Sequence, residues 1–142
     1  KCFKPTATAA IYNENSIGKA LKYFATHIPH AEVDAIYALR NAFAHDYSLY
    51  NIKGNRPSYT HHFTVMQSPV HPLVRLPQTQ WDGNIANKTQ NNLTVVNLEA
   101  LGDTVEQICA SLLHLANNND LEVTLAGGSD ELIQRYSFYA AA

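Results

Sequence analysis

At 142 residues the chain is sized for one domain, residues 1–142, with interior enough to fold without staples. A hydrophobic content of 46% excludes wholesale disorder. A formal net charge of −2 excludes a bulk basic field for nucleic acid, so any RNA contact has to come from local arginines and lysines.

Residues 1–15 hold Pro5, several small residues and no clear period, and read as an N-terminal arm, the remnant of a longer chain. Cys2 in this arm and Cys109 are too few for a disulfide framework and favour a reducing, cytoplasmic setting. No apolar run of about 18 residues offers a membrane span. Asn15 or Ser16 caps a helix predicted to reach Thr26, with Ile17, Leu21 and Phe24 on one stripe, and Ile28-Pro29 ends it. His27 and His30 flank that proline. As a metal pair they lack further ligands, since neither cysteine nor an acidic cluster is near, and they read as a solvated inter-helix loop.

The next helix places Glu32 and Asp34 in its first turn and Val33, Ile36, Leu39 and Phe43 on a core-facing stripe. Its end, Ala38–Tyr47, carries Arg40, Asn41 and His45. A guanidinium is almost never fully buried without a partner. The stretch therefore either lines a polar groove or is tied into a hydrogen-bond network. Asn41 and His45, four apart, share one face; Arg40 lies about 100° round from Asn41.

After this helix the period shortens. Tyr47–Lys53 and Tyr59–Gln67 form a predicted β-hairpin around the turn cluster Gly54-Asn55-Arg56-Pro57. Tyr59, His61, Phe63 and Val65 face one side; Thr60, His62 and Thr64 face the other, so His61 and His62 cannot share an ion. The hairpin reads as an aromatic, half-buried pair, and the sharper alternative has Arg56, Tyr59 or a histidine reaching substrate. Pro69–Pro77 is expected to be extended and poor in sheet bonds, and Gln78–Asn92 a polar loop. Asn87 and Asn92 stand in glycosylation-type triplets, read as chance in an asparagine-rich loop. Leu93–Val96 is a brief strand. Asn97 then caps a helix predicted over Leu98–Asn117, with Leu98, Leu101, Val105, Ile108, Leu112 and Leu115 on its stripe. Leu121–Leu125 is a strand or an extended link. Gly127-Gly128 lacks the lysine and spacing of a nucleotide loop, and reads as a turn before a helix capped by Ser129.

Arg40-Asn41-Ala-Phe-Ala-His45 resembles the Arg-x4-His motif of the HEPN superfamily, with the polar residue that often follows the arginine. The segments Leu21-Lys-Tyr-Phe, Ala35-Ile-Tyr-Ala-Leu-Arg-Asn and Val95-Val-Asn-Leu-Glu-Ala-Leu extend the similarity over Leu21–Leu115. The resemblance implies a mainly α fold, a HEPN-like helical bundle with an inserted β-hairpin. It also implies a metal-independent endoribonuclease without cofactor, acting as a homodimer on RNA in a toxin–antitoxin or phage-defence setting, with a cognate antitoxin or defence partner. Arg40 would stabilise the phosphate, His45 transfer protons and Asn41 orient them. The alternative is a non-catalytic HEPN-like binding or scaffold module, in which the same three residues only tie the helix end to its surroundings.

Overall fold

Apolar residues at three-to-four spacing make His30–Asn41 a helix, α2, and almost every face of it is covered. In the computed structural model, which describes residues 3–123 together with Leu125, Gly127, Gly128, Asp130, Glu131 and Gln134, its buried positions are Val33, Asp34, Ala35, Ile36, Ala38, Leu39 and Asn41. Helix α1 (Ser16–Phe24) begins where Asn15 Oδ1 accepts from the Gly18 N–H at 2.7 Å, and it packs on α2 through the buried Leu21. The side chains of α1 and α2 share one core with Phe63, Val74 and Val96 from the sheet.

The expectation of a mainly α bundle with an inserted hairpin is corrected by that sheet. Besides β1 (Phe3–Pro5) and β6 (Leu121–Val123), strands β2 (Tyr50–Asn51), β3 (His61–Met66), β4 (Val74–Arg75) and β5 (Leu93–Asn97) form a four-stranded sheet in the order β2-β3-β5-β4. The fold is mixed α/β. The hairpin survives only as the pairs Tyr50↔His62 and Asn51↔His61, whereas β3 runs parallel to β5 from His62↔Leu93 to Met66↔Asn97. Both strands are rich in β-branched residues and pack against helices, the usual condition of a parallel pair. The proline-rich stretch also supplies a strand: β4 pairs Val74↔Val96 as an edge, because Pro72 and Pro77 flank it without interrupting it.

The polar segment 78–92 is pinned to this sheet. Trp81 is 2% exposed, and its Nε1 donates to the Asn84 carbonyl at 2.9 Å. Lys88 Nζ lies 4.8 Å from the Tyr50 ring centroid, a cation–π contact that ties the segment to β2. Helix α3 (Leu98–Asn117) has the expected bounds, with Asn97 Oδ1 accepting from the Glu99 N–H. Its apolar stripe is less buried than expected: Leu98 and Val105 are exposed, and a groove of about 650 Å³ opens between it, α1 and the end of α2.

The N-terminal arm is held, since β1 pairs antiparallel with β6 and Tyr23 Oη accepts from the Ile11 N–H at 2.7 Å. The helix start expected at Ser129 lies outside the described residues, as does Cys2. Among the described residues, no helix is long and apolar enough to cross a membrane.

Candidate functional site

From Ala42 to Asp46 helix α2 opens into a π turn, closed by the Tyr47 N–H donating to the Ala42 carbonyl with Tyr47 at φ 47°. A bulky residue in the left-handed region is uncommon, and π turns recur at functional sites. The wider turn re-aims the side chains that follow it. Phe43, expected on the core stripe, is 47% exposed, and Ala42 takes the buried place.

The same turn brings together the three residues singled out by the motif. Arg40 Nη1 donates to Asn41 Oδ1 at 3.2 Å and lies 3.3 Å from His45 Nε2. Residues five apart on a regular α-helix diverge by about 140°, so this contact needs the π turn. A guanidinium can only donate. In a hydrogen bond between the two, His45 Nε2 is therefore the acceptor. Arg40 and His45 are exposed; Asn41 is buried.

Asn41 and His45 open into a polar cleft of about 590 Å³, walled further by Tyr37, Asp46, Asn51, Ile52, Lys53, Asn55, Arg56 and Tyr59. Arg40 lines the neighbouring apolar groove and turns its guanidinium toward the polar side. The far wall is a turn held by its own hydrogen bonds. Thr60 Oγ1 accepts from the Lys53 N–H at 2.9 Å and donates to the Lys53 carbonyl at 3.1 Å. Asn51 Nδ2 donates to the Tyr59 carbonyl at 2.5 Å. The Tyr59 ring meets Tyr37 edge-on at 5.6 Å, and the Arg56 guanidinium lies 5.8 Å from its centroid. Burial first, and then the carboxylate of Asp34 that takes its hydrogen bond, push the Tyr59 hydroxyl above its usual pKa. Tyr59 is thus a neutral donor fixed by a buried acid.

Of the hairpin residues weighed as substrate contacts, Arg56 and Tyr59 line the cleft and the histidines do not. His61 Nε2 donates to the Ser58 carbonyl at 2.9 Å, leaving Nδ1 to accept from Thr94 Oγ1 at 2.8 Å. Burial pulls its pKa below the ordinary value, more strongly than the Ser58 bond raises it. His62 turns to the other face, 2.6 Å from Asn92 Oδ1 and edge-on to Trp81. His30 lies beside Lys22 and 3.6 Å from Asp34 Oδ1. No group of three or more metal-binding side chains occurs among the described residues. Tyr37, Asn51, Lys53 and Asn55 are cleft residues that the sequence reading missed. The turn cluster Gly54-Asn55-Arg56-Pro57 was the only signal for those beyond α2, and the pairing of β2 with β3 is what sets that turn against α2.

Compared with models of known protein families, with curated proteins and with solved structures, the chain matches none.

Proposed function

We propose that the chain is a metal-independent endoribonuclease in which Arg40 binds the scissile phosphate and His45 transfers protons. RNA carries its own nucleophile, the 2′-hydroxyl. Its oxygen bonds to phosphorus as the bond to the 5′-oxygen breaks, leaving a 2′,3′-cyclic phosphate and a 5′-hydroxyl. The proton lost from the 2′-oxygen goes to a base, and one is supplied to the 5′-oxygen by an acid. Histidine suits both transfers near neutral pH, each typically worth about 10²–10⁴ in rate. Arginine matches phosphate oxygens with a rigid fork and keeps its charge.

The observation that supports this reading is an exposed Arg40 within hydrogen-bond distance of both Asn41 and His45, the two residues that open into the polar cleft. One histidine serves one transfer at a time, so the reading includes a homodimer whose second copy supplies the other. It takes the HEPN-type motif as the reactive unit without the helical bundle, in a cytoplasmic toxin–antitoxin or defence setting with a cognate partner. The second reading, a non-catalytic binding module, draws on the same bonds: Arg40 already has partners within its own chain.

Product-end analysis separates the two. In EDTA, the nuclease reading expects RNA fragments ending in a 2′,3′-cyclic phosphate, and no cut where the 2′-hydroxyl of the reacting nucleotide is replaced by hydrogen. RNA left intact at high protein concentration would favour the binding module.

A further inference from the structure

We infer that the far wall of the cleft, the turn from Ile52 to Tyr59, is a binding subsite for the unpaired nucleotide beside the scissile phosphate, and hence that the substrate class is single-stranded RNA. The identity of the polymer rests on the ribonuclease reading above; the subsite rests on what the turn presents.

His45 and the turn line one continuous cleft. Lys53 and Arg56 are exposed, and among the described residues neither is paired with an acid. They place two cations on the cleft wall, with Arg40 reaching His45 from the neighbouring groove, in a chain whose net charge is −2. Unneutralised cations concentrated at one cleft are what an anionic backbone needs from a protein with no basic field. Asp46 is the one acid in the cleft wall, next to His45.

The turn also offers a stacking surface. The Arg56 guanidinium lies over the Tyr59 ring, and Tyr59 is fixed from behind by Asp34 and Tyr37. Unstacked bases pack on guanidinium planes and aromatic rings. The bonds from Thr60 to Lys53 and from Asn51 to Tyr59 hold this surface before any ligand arrives, which lowers the ordering cost of binding. A concave opening of about 590 Å³ is in the range that takes one small ligand, and it admits a splayed nucleotide where a stacked duplex cannot enter.

The test reads binding, not cleavage. A fluorescent, fully 2′-O-methylated 12-mer, which cannot be cut, is titrated with full-length protein over a series of salt concentrations. Lys53→Gln/Arg56→Gln, whose fold is verified by circular dichroism, is expected to weaken binding at least tenfold at low salt. Its log–log salt slope is expected to fall by about 1.4, at about 0.7 per phosphate contact on a single strand. Arg56→Lys is expected to keep the slope and still lose several-fold in affinity, because the plane is gone. A duplex of the same sequence is expected to bind much more weakly. An unchanged affinity and slope in the double variant, or a duplex bound as tightly as the strand, would overturn the subsite. The two readings fail separately: a protein that binds the inert strand through Lys53 and Arg56 but never cuts RNA keeps the subsite and loses the nuclease. One that cuts RNA while indifferent to both substitutions loses the subsite alone.

Discussion

Arg40 Nη1 and His45 Nε2 face each other at 3.3 Å across a helix that has to widen to let them meet. The motif spacing and the π turn are therefore one feature. The turn is closed by Tyr47, 92% exposed and in the left-handed region. Its side chain contributes little packing there, so the backbone cost is not offset locally. Replacing Tyr47 by Gly is expected to raise unfolding free energy by about 1 kcal/mol in chemical denaturation, with the π turn kept. A loss of stability would mean that the Tyr47 ring makes contacts this account omits.

Asn41 is the buried member of the site and accepts from Arg40. Asn41→Ala leaves the guanidinium without its guide, and RNA cleavage is expected to fall by up to about a hundredfold, mainly in kcat, the scale of loss for a misplaced catalytic group. Asn41→Asp is expected to be worse, because a carboxylate would hold Arg40 away from phosphate. Equal activity in all three proteins would remove Asn41 from the site.

His61 sets an acid limit on stability. Its pKa is lowered on folding, chiefly by burial, so between the folded value and the ordinary 6.5 the unfolded chain binds the proton that the folded chain refuses. Stability from this residue is full above 6.5 and declines as pH falls below it toward the folded-state value. His61→Gln is expected to be less stable at neutral pH yet flatter across that interval in pH-dependent denaturation. A slope identical to that of the parent would assign the acid sensitivity elsewhere.

Much of the helical frame was legible in the chain. Helix α3 follows its apolar period and its Asn97 cap to the expected residues, and α1 begins where Asn15 caps it. The sheet was not legible, because the β3–β5 pairing joins segments 31 residues apart in register, His62 to Leu93, while local patterning pairs Tyr59–Gln67 only with the run before it. Phe43 was misplaced because periodicity assumes a regular helix through residues 42–46. The reactive trio could be found by its motif; the cleft opposite it depends on a tertiary approach of turn to helix that no local pattern encodes.

Trp81 accounts for the order of the asparagine-rich segment. Trp81→Ala is expected to cost about 3–5 kcal/mol, the range for deleting a buried large aromatic, and to expose residues 78–92 to limited proteolysis. Trp81→Phe keeps most of the packing and loses only the bond to the Asn84 carbonyl, about 1 kcal/mol. A segment that remains protease-resistant in Trp81→Ala would show that the hydrogen bonds at Asp82 and Asn92 suffice to hold it.

The most direct measurement is cleavage of end-labelled RNA in EDTA by the parent chain, Arg40→Ala and His45→Ala side by side. The expected result is cutting by the parent and a loss of at least a hundredfold in each variant, with both variants retaining the parent's thermal unfolding profile. Undiminished cutting in either variant, or no cutting by the parent at high concentration, would contradict the assignment of Arg40 and His45 to a phosphodiester.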